Sequence, residues 1–198
     1  VNITELLEEL ETIYPGESAL SLSALQQTAR AFCRRTLWYT SDLTISAVSG
    51  TQEYTLTDPT NTKIIRVEIV SQGERFLTMK EKPLTTSTSD TQTTYYITED
   101  GKIGFYPIPT SSSSDVIVTV SLQPTRTTTI LDDRFAEVED ILIAGALAKL
   151  FSIPSYPLYD PQQAGLYQNK YDVDVVNTLA SINRKKTSGA VSIQMRTF

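Results

Sequence analysis

Apolar residues at Ile3, Leu6, Leu7, Leu10, Ile13 and Tyr14 recur at three- and four-residue steps, with Glu5, Glu8, Glu9 and Glu11 between them. That spacing predicts an amphipathic helix from Ile3 to Tyr14, stopped by Pro15-Gly16. Ser23-Ala24-Leu25-Gln26 has the form of a capping box, and Leu25, Ala29, Phe32, Cys33 and Leu37 would share the buried face of a second helix. The pattern then changes to short runs of β-formers: Leu43 to Val48, Glu53 to Leu56, and Lys63 to Val70. Ser71-Gln72-Gly73-Glu74 reads as a hairpin turn into Arg75 to Met79. Thr93 to Thr98 and Lys102 to Tyr106 flank a second turn at Glu99-Asp100-Gly101. From Asp115 to Leu122 the side chains Val116, Val118, Val120 and Leu122 alternate with Ile117, Thr119 and Ser121, which predicts a strand with one buried face.

Helical spacing returns after Thr125. Asp132 or Asp133 can cap a helix carrying Phe135, Val138, Ile141, Leu142, Leu147 and Leu150. Gly145, Ala146 and Ala148 keep part of that helix thin enough for close approach by another. Pro154 and Pro157 end it. Asp160-Pro161-Gln162-Gln163 places a cap, a first-turn proline and a glutamine where a new helix begins. Ala164, Tyr167, Tyr171, Val175, Leu179 and Ile182 form its apolar face, and Lys185-Lys186 and Gly189 mark its end.

The expected fold is therefore α+β. Residues 1–41 and 126–186 supply a four-helix bundle, 42–125 form an inserted small antiparallel β barrel or sandwich, and 187–198 form an extended carboxyl-terminal arm. In the arm, Val191, Ile193 and Met195 alternate with Ser192, Gln194 and Arg196, giving an extended segment one apolar face. Thr85 to Thr94 and Thr110 to Ser114 are Ser/Thr-rich and read as exposed loops.

Composition narrows the chemistry. The 198 residues contain no histidine and one cysteine, Cys33. Triads built on histidine are excluded, and so is an internal disulfide framework. A helix-face Cys33 is a small buried hydrophobe, and a lone cysteine fits synthesis in a reducing cytoplasm. No phosphate-cradling glycine loop opens a helix. No run of about 18 apolar residues is present, so no membrane partner is expected. The carboxylates of Asp132, Asp133, Glu137, Glu139 and Asp140 fit helix capping better than a metal site, because residues two apart on a helix diverge. Asp172 and Asp174 have the same spacing. Trp38-Tyr39, Tyr95-Tyr96 and Phe105-Tyr106 could stack bases, but no basic residues interleave them, so packing is the expectation. No catalytic, cofactor-binding or metal-ligating residue is assigned. Net charge is −6, with an all-acidic start and a basic end at Arg184, Lys185, Lys186 and Arg196. That net acidity makes the chain a poor candidate for wrapping DNA by phosphate neutralisation.

The order of several segments resembles the head-to-tail adaptor (connector) proteins of tailed bacteriophages, the short-tailed type above all. The segments are Leu37-Trp38-Tyr39-Thr40, Gly50-Thr51-Gln52-Glu53-Tyr54-Thr55-Leu56, Ile64-Ile65-Arg66-Val67 and Ile103-Gly104-Phe105-Tyr106-Pro107-Ile108-Pro109. Leu131-Asp132-Asp133, Ala144 to Leu150 and the tyrosine-rich approach to Asp160-Pro161 follow. The resemblance implies a non-enzymatic virion protein at the head–tail junction, made in the host cytoplasm. It implies a dodecameric ring docked on the portal protein, with double-stranded DNA passing through without sequence-specific binding. Tail nozzle, fibre or spike proteins would meet the β segment. Portal contacts would fall in the carboxyl-terminal segment, on Arg184, Lys185, Lys186, Val191, Ile193, Met195, Arg196 and Phe198. Two other classes stay open: a monomeric ligand-binding or enzymatic α+β protein with a polar pocket, and a β-domain module recognising glycan or protein.

Overall fold

Helix α1, Ile3–Ile13, buries Ile3, Leu6 and Leu10 and leaves Glu5, Glu8 and Glu9 exposed, as its spacing requires, while Glu11 is half-buried. A computed structural model describes residues 3–81, 93–110, 115–128 and 131–194. The fold is α+β, in two compact units: Val1–Tyr39 with Gln123–Phe198, and Thr40–Leu122.

In the first unit α2 spans Ser18–Thr36 and ends on Leu37, which donates its N–H to the Cys33 carbonyl at 2.8 Å and turns the chain out of the helix with a left-handed φ of 52°. The helix starts five residues before the capping box expected at Ser23. Ser23 lies inside it and accepts from Gln27 Nε2 at 3.1 Å, while Glu17 stands at the N-cap without a side-chain cap bond. Packing overrides the polar look of this stretch, because Ser21 and Thr28 are buried in the helix interface beside Leu25, Ala29 and Phe32. Leu37 is thus a cap and not part of the helical face.

Asp132 caps a 3₁₀ turn, Asp133–Val138, that leads into α3, Glu139–Phe151. From Leu142 to Ala148 every residue of α3 is buried, the mark of a helix covered on all sides. It packs against α1, α2 and α4, and α2 also meets α4. Gly145 is the point of closest approach. A Cβ there would lie 2.5 Å from Thr28 Cγ2 on α2 and 2.8 Å from Tyr171 Cδ2 on α4. Tyr14, Phe151, Tyr156 and Tyr167 close one end of the unit: Tyr14 meets Phe151 edge-on at 5.3 Å, and Phe151 stacks on Tyr167 at 5.8 Å.

Helix α4 spans Pro161–Gln194. Asp160 caps it as expected, its Oδ1 accepting from the N–H groups of Gln162 and Gln163 at 2.9 and 3.0 Å. The extended arm expected from residue 187 is replaced by helix as far as Gln194. A single glycine costs a helix only about 1 kcal/mol, so Gly189 need not stop it.

The second unit holds two four-stranded sheets. The first has the order β1 (Thr40–Ser46), β8 (Asp115–Pro124), β3 (Thr62–Gln72), β4 (Arg75–Phe76). The second runs β2 (Glu53–Tyr54), β7 (Ile103–Tyr106), β6 (Thr94–Ile97), β5 (Thr78–Met79). β8 lies inside its sheet, with Val116, Val118, Val120 and Leu122 buried and Ile117 40% exposed, as the alternation requires. Among the described residues no strand pair joins the sheets, so no closed barrel forms, contrary to one expected form. The expectation of wholly antiparallel pairing also fails at one place. Arg75 to Met79 is not one strand: β4 pairs antiparallel with β3, while β5 pairs parallel with β6. Leu77 N–H bonds the Val70 carbonyl at 2.8 Å where the chain changes sheets.

Both hairpin turns form where glycine supplies a positive φ, 61° at Gly73 and 75° at Gly101. Tyr95, Tyr96, Phe105 and Tyr106 are buried in the second sheet and serve as its core. Gly104 stands opposite Tyr96, whose ring fills the space a Cβ would need. The Ser/Thr-rich loops lie outside the described residues except Thr93, Thr94 and Thr110, and Thr94 is buried at the start of β6.

Two glycines give opposite predictions. Gly145→Ala gains about 1 kcal/mol of helix propensity but incurs about 1–3 kcal/mol of overpacking. It should lower the melting temperature, and Gly145→Val should lower it further. At Gly165 in α4 nothing lies within 4 Å of the place a Cβ would take, so Gly165→Ala should raise the melting temperature. Thermal unfolding followed by circular dichroism reads both.

Candidate assembly surfaces

Helix α4 carries apolar residues on two sides. Tyr171 and Val175 are buried towards α3 and α2, with Ala164, Tyr167, Leu179 and Ile182 half-buried around them. On the opposite side stand Leu166, Val173 and Val176, which are 64%, 58% and 59% exposed. Steps of seven and three residues put these three on one stripe, the spacing of a helix seam. The inner face is legible in the sequence. The outer one escapes notice there because a single apolar face already accounts for the helix, although the seven-three spacing is present to be found.

The inner face is pinned by charge. Arg35 Nη1 of α2 bonds Asp172 Oδ1 at 2.6 Å, Gln168 Nε2 bonds Asp172 Oδ2 at 2.9 Å, and the Arg35 guanidinium lies 5.5 Å from the Tyr171 ring centroid. The Gln168 and Arg35 hydrogen bonds hold the Asp172 carboxyl below its ordinary value. Asp172 is therefore half of a helix–helix pair. Among the described residues no group of histidine, cysteine, aspartate or glutamate side chains could hold a metal ion.

The expected portal-contact residues are only partly placed. Arg184 and Lys185 are exposed on α4. Lys186, Val191 and Ile193 fall within the helical run Pro161–Gln194. Met195, Arg196 and Phe198 lie outside the described residues.

The aromatic pair Trp38-Tyr39 packs within the first unit. Trp38 meets Phe135 edge-on at 5.4 Å, and Tyr39 meets the same ring at 5.1 Å. Beside them Asp132 accepts from Arg134 Nε at 2.9 Å, from the Arg134 N–H at 3.0 Å and from the Tyr39 hydroxyl at 3.3 Å, with the Arg134 guanidinium 4.6 Å above the Tyr39 ring. The Arg134 hydrogen bonds hold the Asp132 carboxyl at about 2. Cys33 is fully buried, and burial pushes its thiol up to about 12, which removes it as a nucleophile.

In the second unit a cleft of about 740 Å³ is bounded by β3, Met79, and Tyr95 and Ile97 of β6. Its buried carboxylate, Glu68, accepts from Arg66 Nε and Nη2 at 3.0 and 2.8 Å and from the Ser121 hydroxyl at 2.7 Å. Those polar groups are spent on one another rather than aimed at a ligand. Nearby, Phe76 and Met79 stand 65% and 59% exposed on the short strands β4 and β5.

The described residues thus present a long helix with an exposed apolar stripe and no cluster fit for a metal ion. The chain belongs to the SU10 adaptor protein family, which matches residues 1–194. This is a phage adaptor family, a structural component of the virion, and the match supports a phage head-to-tail adaptor. Comparison with curated proteins gives no match.

The Asp132 cluster predicts a pH dependence. A folded value near 2 against an ordinary 3.8 means that the carboxylate stabilises the fold above 3.8 and that this contribution disappears as the pH falls towards about 2. Asp132→Asn should be less stable than the parent at neutral pH. The gap between their melting temperatures should narrow across that acid range.

Proposed function

We propose that this protein is the ring-forming head-to-tail adaptor of its phage. Copies associate side by side through their helical units, with α1 to α4 as the bundle, and the ring docks on the portal, joins capsid to tail and forms part of the channel for double-stranded DNA. The outward stripe of Leu166, Val173 and Val176 carries this reading. An exposed apolar seam on a helix whose other face is already buried is costly to leave in water and marks a subunit contact. Membership of the adaptor family supplies the setting. A dodecamer fits the reading as the ring size carried by the resemblance.

Portal contact falls to the carboxyl-terminal segment, with Arg184, Lys185, Lys186, Val191, Ile193, Met195, Arg196 and Phe198 as its residues. On this reading the segment works as a helical extension of α4 through Gln194 and not as an added strand. A second reading, a recognition module for glycan or protein, is favoured by exposed Phe76 and Met79 on the β unit. Within an adaptor, that surface would meet nozzle, fibre or spike proteins.

Val173→Asp/Val176→Asp should keep the parent melting temperature within a few degrees, since both positions are exposed, and should abolish rings seen by light scattering and negative-stain imaging. Undiminished rings would sink the seam as the subunit contact. A form ending at Lys186 should still form rings but fail to bind the matching portal; portal binding that survives the truncation would remove the carboxyl-terminal segment as anchor.

A further inference from the structure

Four cations gather on the first unit, and among the described residues no ion pair joins them to a carboxylate. Arg30 and Arg34 lie one turn apart on α2, and Arg126 sits on the segment after β8. Burial, then the charges of Arg126 and Arg34, lower the Arg30 value, and burial, then Arg30, lower that of Lys149 on α3. Like charges are thus held close together in a protein of net charge −6. Arg30 and Arg126 line a concave pocket of about 460 Å³ with Ser23, Gln26 and Gln27. The pocket is tied in place by Gln26 Nε2, which donates to the Thr128 carbonyl at 2.9 Å. Among the described residues neither Arg30, Arg126 nor Lys149 has an acidic partner. Repulsion of this kind is uphill unless an anion is supplied from outside.

The same unit carries the complementary surface. Glu5, Glu8 and Glu9 are exposed on α1 and, among the described residues, meet no cation in their own copy. Their three- and four-residue spacing gathers them into one patch. Resting on the ring reading above, we propose that the acidic face of α1 in one copy docks into the Arg30–Arg126 pocket of the next copy. Arginine forks and the neutral donors of Ser23 and Gln27 suit carboxylates. Two different patches meeting head to tail produce a contact that repeats around a closed ring. A DNA duplex fits less well. It carries one charge per about 1.7 Å and rewards a long basic track, whereas these cations are confined to one concave spot.

Charge reversal in the full-length chain tests the contact. Arg30→Glu/Arg126→Glu alone and Glu8→Lys/Glu9→Lys alone should each need about ten-fold more protein to assemble at low salt, since several charge pairs reverse together. Mixing the two variants should restore assembly, because the acidic helix of one meets the intact pocket of the other and the reversed pair also match. Circular-dichroism melts check that each variant is folded. If a reversal variant unfolds, Arg30→Gln/Arg126→Gln replaces it and should remove most of the salt sensitivity of wild-type assembly. Assembly indifferent to both reversals, or no rescue on mixing folded variants, overturns the pocket contact and leaves ring formation through α4 standing. Loss of binding to a fluorescent DNA duplex on arginine reversal, with assembly untouched, assigns the pocket to phosphate and overturns the proposal as well. Wild-type protein that forms no oligomer, alone or on its portal, defeats the ring reading itself and this contact with it.

Discussion

The approach of three helices at Gly145 governs the first unit. Thr28 of α2 and Tyr171 of α4 already crowd the place a Cβ would take. Ala144, Ala146 and Ala148 keep the rest of that stretch thin. Because α3 is covered all round, α4 can lie against it with Tyr171 and Val175 the buried residues among its described side chains. The Arg35–Asp172 pair adds orientation more than stability. Both side chains remain nearly half exposed, at 45% and 44%, and exposed pairs contribute at most about 1 kcal/mol. The apolar contact holds the helix, and the ion pair helps set its rotation. That rotation turns Leu166, Val173 and Val176 away from their own copy.

Aromatic rings divide between the units by role. Those of the second sheet, Tyr95, Tyr96, Phe105 and Tyr106, are wholly structural, and Gly104 gives Tyr96 the room it needs. In the first unit the Tyr14–Phe151–Tyr167 series ties the ends of α1 and α3 to the start of α4. The residues that look able to stack bases are therefore engaged inside the fold. Phe76 and Met79, which follow no marked pattern in the sequence, are the large apolar side chains left bare on β4 and β5.

The periodic parts of the chain are legible in the sequence alone. The α1 face, the α4 cap at Asp160, the two glycine turns and the alternation of β8 all follow from local rules of spacing and backbone geometry. What is not legible depends on partners distant in sequence. Ser21 and Thr28 look polar but are buried, Thr28 against Gly145 of α3, so spacing alone sets the start of α2 too late. The division of Arg75 to Met79 between two sheets depends on Val70 and Tyr95, which periodicity cannot see. The end of α4 is hidden by one glycine and a short strand-like alternation, neither of which outweighs the momentum of a long helix. Of the assembly surfaces, the carboxyl-terminal residues follow from resemblance. The arginine pocket is visible only from neighbours, and the outer stripe of α4, whose seven-three spacing is in the sequence, is singled out only by exposure.

Those two surfaces differ in kind, and the difference bears on how such a subunit can exist free and still assemble. The α4 stripe is small and interrupted: Asn169 lies between Leu166 and Val173, and Ala180 follows Val176. Exposing it costs less than exposing an unbroken apolar face. Charge acts over a longer range, about 8–10 Å at ordinary ionic strength, and aligns partners before contact. A patch of glutamates on α1 and a pocket of arginines fed by α2 repel their own kind and attract each other. In the proposed ring, face-to-face pairing of like surfaces would be disfavoured and head-to-tail pairing favoured, the sense of association a closed ring requires.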